Sequence, residues 1–136
     1  MAVIVLTDVA VTVNAVNMSP FTTSAKLSIT VDEKETTAFG STYKSRVGGL
    51  KDWKLELEFN EDFAAGAVDQ TIYPLIGTVV AVTMKPTSAA NATTNPQYSG
   101  NVLVGGNYDP IEGKVGDLGT TKVSWSGSGT LTRLTA

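Results

Sequence analysis

The chain has no cysteine and no histidine. Without thiols there is no disulfide framework, no cysteine nucleophile and no thiolate metal site. Without imidazole, the commonest general base, the base of a catalytic triad and the commonest metal ligand are missing together. Catalysis would have to run on carboxylates, hydroxyls and lysines alone, so an enzyme is not expected. Charge is scarce too: Asp, Glu, Lys and Arg make up 17% of the 136 residues, against roughly one quarter in an ordinary soluble domain. A formal net charge of −3 leaves no basic stripe with which to grip nucleic acid by its phosphates. No apolar run approaches the roughly 18 residues of a membrane span. The opening MAVIVL has no basic residue before it and is interrupted by Asp8, so it reads as a short strand or buried arm and not as a secretory segment.

What replaces the missing charge is Thr, Ser, Asn and Gly, a composition suited to strands and turns. The length fits one domain, residues 1–136, with 42% hydrophobic residues to fill its core. The clearest pattern is WKLELEFN. Trp53, Leu55, Leu57 and Phe59 alternate with Lys54, Glu56, Glu58 and Asn60, which is a strand with one dry and one wet face. DVAVTV and SAKLSITVD alternate in the same way, the second placing Ala25, Leu27, Ile29 and Val31 on its apolar side, and NAVNMSP between them reads as a turn-rich connection. In TKVSW, Val123 and Trp125 take the dry face. TVVAVTMKP is continuously apolar and reads as a strand buried on both sides or nearly so, and YSGNVLVGG as another strand. SGSG joins the last two strands as a turn.

Two segments break the alternation. In DFAAGAVDQTIYPLIG the spacing of Val68 and Ile72 predicts a short helix, roughly Ala67 to Tyr73, with an irregular last turn at Pro74 and Gly77 past its end. Glu33 to Gly49 has no clean period and reads as a long inter-strand loop, of the length that tends to be functional or disordered. Its charged residues Glu33, Lys34, Glu35, Lys44 and Arg46 surround Phe39 and Tyr43, exposed aromatics of the kind that pack on a partner. The fold expected is mainly β: a β-sandwich or partly closed barrel of about seven strands with one short α-helix packed on it. The core is expected to hold Trp53, Leu55, Leu57, Phe59, Val68, Ile72, Val123 and Trp125.

No constellation carries chemistry. Glu56 and Glu58 lie two apart on one strand face, within the separations glycosidases use, but any exposed strand written LELEF makes the same pair. Asp109, Glu112 and Asp117 lack the ligand spacing of a helix-flanked calcium loop. EGKVG is not a phosphate loop, because Tyr108 stands where its first glycine belongs and Val115 where its Ser or Thr belongs. No cofactor is implied, and the molecule acts through its surfaces.

The order of pieces is informative: VAVTVNAVNMSPFTTSAKLSITVDEKETTAFG, then VGGLKDWKLELEFNEDFAAGAVDQTIYPLIG, then VTMKPTSAANATTNPQYSGNVLV, then GKVGDLGTTKVSWSGSGTLTR. It resembles the small tail tube, or major tail, proteins of siphophages (long non-contractile-tailed bacteriophages), particularly those of actinobacterial phages. GLKDW, DFAAGAVDQTIYPLIG and PTSAANATTNPQYSG carry most of the likeness. The resemblance implies a virion structural protein, made in the host cytoplasm. Six copies form a ring and rings stack into a hollow tube, with a continuous β-barrel lining the channel through which DNA passes without specific binding. The implied partners are further copies, the tape measure, tail tip and tail terminator proteins. The loop Glu33 to Gly49 would meet neighbouring subunits or rings, and Lys54, Glu56 and Glu58 would face the channel as an acidic lining that repels phosphate. Both that loop and the N-terminal segment are expected to be unordered before assembly, since ordering costs on the order of 1 kcal/mol or more per residue. The competing readings are a capsid decoration or head-tail completion protein, a carbohydrate-binding module, which needs an exposed tryptophan, and a carboxylate glycosidase.

Overall fold

Alternating sequences make strands here because one side chain in two finds cover. A computed structural model describes residues 3–135. Its strands are β1 (Ala10–Val13), β2 (Val16–Asn17), β3 (Thr22–Glu35), β4 (Arg46–Asn60), β5 (Val79–Lys85), β6 (Gln97–Leu103), β7 (Thr120–Gly127) and β8 (Thr132–Leu134), with one helix, α1 (Val68–Ile72). The strands form one antiparallel sheet in the order β2-β1-β5-β6-β7-β4-β3, and β8 pairs with β6. The sheet does not close: β3 and β2 are its free ends. Residues from β1, β4, β5, β6 and β7 nevertheless share one apolar cluster with α1, so the sheet curls around its dry face. Trp53, Leu55, Leu57 and Phe59 of β4, Val123 and Trp125 of β7, and Val68 and Ile72 of α1 are all buried.

The curl turns at β6. Only Val102↔Gly127 and Leu103↔Ser126 join β6 to β7; further along the same edge Gln97, Tyr98 and Ser99 pair with β8. The turn expected at SGSG therefore does not close a hairpin between β7 and β8. The chain leaves β7, crosses beside Trp53 and resumes on another stretch of β6. Trp53 holds this corner. Its Nε1 donates to the carbonyl of Gly129 at 3.0 Å, and its ring occupies the space over Gly127 and Gly100, where a Cβ would collide with indole carbons.

Other expectations shift for identifiable reasons. β5 is buried on one face only: Val80, Val82 and Met84 point inward, while Val79 and Ala81 are exposed because nothing covers the outer side. Residues 3–6 are exposed and in no strand, so MAVIVL is neither strand nor buried arm over its described part. Within NAVNMSP, Asn14 and Ala15 both take positive φ (50° and 65°), as a two-residue hairpin turn requires, and β2 and a 3-10 turn at Ser19–Phe21 follow. Helix α1 is shorter than expected. Its chain runs on into a 3-10 turn, Tyr73–Leu75, which Pro74 can enter because it gives up no α-helical hydrogen bond there.

The segment Glu33 to Gly49 is not a loop throughout. The β3–β4 ladder continues through Glu33↔Gly48, Lys34↔Val47 and Glu35↔Arg46, after an irregularity between Val31 and Glu33. Only residues 36–45 lie outside strands. The alternation of β3 also loses its burial along the way: Ala25 and Leu27 are half-buried, but every residue from Ile29 to Asp52 is exposed. The hairpin has left the body by that point.

Candidate functional site: a charged sheet face and a projecting hairpin

The wet face of β4 does not stand alone. Register sets Ser24, Glu58 and Lys122 in one row across β3, β4 and β7, then Lys26, Glu56 and Ser124, then Ser28, Lys54 and Ser126. Each glutamate thus has a lysine directly opposite on one flank, the favourable cross-strand arrangement. Lys54 also reaches Glu56 along its own strand, Nζ to Oε1 at 3.0 Å. That hydrogen bond, then the Lys54 charge and a smaller contribution from Lys26, hold the Glu56 carboxyl below its ordinary value. Glu56 is therefore held as the anion, which is the wrong state for a general acid.

The face of β4 expected to form an acidic lining is not acidic once its neighbouring strands are counted. Lys26, Lys54 and Lys122 offset Glu56 and Glu58 on the same face. The sequence of β4 by itself displays two carboxylates and one lysine; the neighbouring strands supply the missing cations. A depression of about 590 Å³ lies on this face, between the strands and the loop that carries Gly106, Asn107 and Asp109.

That loop, residues 104–119, is held by a group that the alternation does not reveal. The Tyr108 hydroxyl donates to Asp69 Oδ1 of α1 at 2.9 Å and lies 3.3 Å from Glu61 Oε2, just past β4. Burial, more than any other cause, pushes the Glu61 carboxyl above its ordinary value, against the lowering effect of hydrogen bonds from the Asp62 N–H and Tyr108. Burial likewise raises the Tyr108 phenol, and its bond to Asp69 adds to the rise. Farther out the loop leaves Ile111, Val115 and Leu118 exposed. A second unpredicted organiser is Asn95, which is buried. Its side-chain amide donates to the carbonyls of Ala89 at 3.0 Å and Ala90 at 3.2 Å, and its Oδ1 accepts from the Thr87 N–H at 3.1 Å. Only the Asn-Pro pair marked that position in the sequence, as one turn signal among several.

The hairpin collects Glu33, Lys34, Glu35, Phe39, Tyr43, Lys44 and Arg46, all exposed, on one projection. Phe39, at 110% relative exposure, touches essentially nothing of its own chain. Beneath it Lys44 and Glu35 form a loose ion pair at 3.8 Å, and Thr36 and Ser45 pair through their hydroxyls. The outer edge of β3 runs the length of this arm and of the body below it, and among the described residues no strand lies beyond it.

Neither tryptophan is available to a sugar: Trp53 is 4% exposed and Trp125 1%. Among the described residues, no group of three or more acidic side chains is placed to hold a metal ion, and no helix is long and apolar enough to cross a membrane.

Several solved chains resemble this fold, among them two from gene transfer agent particles. One chain of the virion of a native gene transfer agent particle superposes with a TM-score of 0.75, over 93% of this chain and 95% of that one, at 11% identity. One chain of the tail of an empty gene transfer agent particle, computed with helical refinement and C6 symmetry, superposes with a TM-score of 0.61, over 82% and 81% of the two chains, at 12% identity. The likeness is one of fold. No family model and no curated protein matches the sequence.

Proposed function

We propose that the chain is a structural protein of a phage-like tail, the subunit of a tail tube, and not an enzyme. The observation that carries this reading is the near-complete mutual coverage with a chain of a gene transfer agent virion, joined by likeness to a chain of a C6-symmetric tail. Agreement over almost the whole of both chains leaves no separate catalytic or binding domain to account for. The absence of histidine and cysteine and the burial of both tryptophans support the same direction.

In this reading six copies form a ring and rings stack into a tube of the siphophage type. The open edge of β3 is the natural place for a neighbouring copy to continue the sheet, because an unpaired edge presents a row of free N–H and C=O groups. The hairpin reaches a neighbouring subunit or ring. The face bearing Lys26, Lys54, Glu56, Glu58 and Lys122 lines the channel. Three lysines against two glutamates leave that wall a net of only +1 per copy, too little positive charge to grip the phosphate backbone through released counterions and no acidic field to repel it, so DNA slides past. The tape measure, tail tip and terminator proteins are the further partners, and the assembled virion is the final location.

Electron microscopy of the purified full chain at high concentration tests the reading. Hollow tubes or stacked rings are expected. Closed trimers or a single ring that never stacks would count for a decoration or head-tail completion protein. A chain that stays monomeric when supplied with preformed tail-tip complexes overturns the tube reading.

A further inference from the structure

The most exposed aromatic side chain and an apolar depression of matching size occur on the same molecule, far apart. The depression holds about 150 Å³ and is lined by Leu6, Val9, Ala25, Met84, Pro86 and Tyr98 together with Lys85. It lies where the base of β3 comes near β5 and β6, on the side where the sheet stays open. An apolar cavity of about 150 Å³ is large enough to take a benzene ring. Phe39, at the tip of the β3–β4 hairpin, is bare.

The two cannot meet within one chain. Ala25 and Glu35 lie ten residues apart on the same strand, roughly 33 Å at the rise of a β-strand. We propose that Phe39 of one copy seats in the depression between Ala25, Pro86 and Tyr98 of a second copy. This rests on the reading of the chain as a self-assembling tail subunit and names one contact by which it assembles.

Charge supports the pairing as well as size. Residues 36–43, which surround Phe39, carry no charge and suit an apolar mouth. Just beneath them stand Glu35 and Lys44, both largely exposed and only loosely paired with each other. The depression and its surroundings offer one partner of each sign: Lys85 in its lining, and Asp8, which lines the adjoining groove and is held ionised by hydrogen bonds from Ser88. Exchanging the Glu35–Lys44 pair for Glu35–Lys85 and Lys44–Asp8 keeps every charge matched. The contact is heterologous, since each copy gives one knob and receives one, so it propagates through a ring or stack and does not end at a dimer.

The absence of native cysteine makes the test clean. The double variant Ala25→Cys with Phe39→Cys is assembled and oxidised, then run without reductant. Phe39→Cys with Ser126→Cys, whose second cysteine lies on the charged face, serves as control. No intramolecular bridge is open to the first pair, because a disulfide spans less than about 7 Å between Cα atoms. A ladder of covalent multimers from Ala25/Phe39 and none from the control is the expected result. Phe39→Ala, which removes a side chain that the monomer does not pack, should raise the concentration needed for assembly by about tenfold or more, as loss of a buried aromatic anchor does. A wild type that assembles while Ala25/Phe39 gives no ladder, or while Phe39→Ala assembles as readily, overturns this contact alone. A wild type that never assembles overturns the tail reading and the contact with it.

Discussion

Substituting alanine for Gly127 tests the account of the β6–β7 corner most directly. The residue lies one step beyond the Lys54↔Ser126 pair, so it faces Trp53 across the β4–β7 ladder. A Cβ there would fall among indole atoms Cε2, Nε1 and Cδ2, and a rigid ring cannot yield as the end of a flexible side chain can. The indole cannot retreat on its other side either, where a Cβ at Gly100 would already be only 2.7 Å from its Cζ2. Relief requires the ring to swing out, which breaks the 3.0 Å bond from Nε1 to the Gly129 carbonyl. Overpacking costs about 1–3 kcal/mol and an orphaned buried donor about 1–3 kcal/mol, so Gly127→Ala should lose about 2–6 kcal/mol. That is a large part of the roughly 5–15 kcal/mol typical of a whole domain. Urea unfolding followed by far-UV circular dichroism measures it without relying on tryptophan emission, which the substitution itself perturbs. Gly119→Ala is the matched control: its Cβ would meet only Glu61 Cβ at 3.8 Å, and its φ is not positive, so a change within about 0.5 kcal/mol is expected. Trp53→Leu separates collision from backbone effects, because Gly127→Ala should cost under about 1 kcal/mol in that background. A Gly127→Ala loss below about 1 kcal/mol in the wild type, or one undiminished when Trp53→Leu is also present, would refute the reasoning.

Three further outcomes follow from particular side chains. Asn95→Asp keeps the shape but turns the amide donor toward Ala89 and Ala90 into a second acceptor, so it should destabilise at least as much as Asn95→Ala, by about 2–3 kcal/mol; equal urea midpoints for Asn95→Asp and wild type would discount the role given to the amide. Thr121 is fully buried with no partner for its hydroxyl, so Thr121→Val should be neutral or stabilising by up to about 1 kcal/mol, and a clear loss of stability would mean that the hydroxyl is bonded. Because the folded pKa of Glu61 is raised above its ordinary 4.5, the stability linked to it is fully present below that pH and is lost as pH rises through the folded value. Glu61→Gln should remove that fall, and identical midpoint-versus-pH curves for variant and wild type between about pH 4 and 8 would contradict the assignment.

How much of this was legible depended on how locally each feature is determined. Trp53 to Asn60 could be read because strand burial has a period of two and the body supplies a dry side throughout. The same rule failed on Ile29 and Val31, which alternate as well as Leu27 does, because burial there depends on how far the hairpin runs past the body. A sequence states the period of a strand but not the length of its cover. The apolar run of β5 misled in the opposite direction: Val79 and Ala81 are compatible with burial, and nothing happens to lie on them. The charged face shows the same limit. Glu56 and Glu58 were visible along the chain, but Lys26 and Lys122 join them only through antiparallel register, about 30 and 65 residues away. Tyr108 and the glycines under Trp53 act through contacts to residues far away in the chain, and Asn95 through hydrogen bonds inside its own loop; no periodicity encodes either kind.

The body and the arm of this molecule are stabilised by different means, and that difference bears on how the chain would assemble. Below Trp53 the β3–β4 ladder is backed by the shared core. Above it, the ladder has backbone hydrogen bonds but no buried side chain, and a two-stranded ribbon in water is marginal on its own. The fourteen-residue edge of β3 is also long for a free edge, though its bulges and the charges of Lys26, Asp32, Glu33, Lys34 and Glu35 work against indiscriminate pairing. An edge with those protections favours a partner whose charges are complementary over any strand that comes near. If copies close on one another, the arm gains the packing it lacks, the β3 edge gains its ladder, and the ordering cost is met where neighbours exist and not before. Hydrogen exchange in residues 33–49 should then be fast in the isolated chain and slow in the assembly, while that of Leu55 to Phe59 is slow in both.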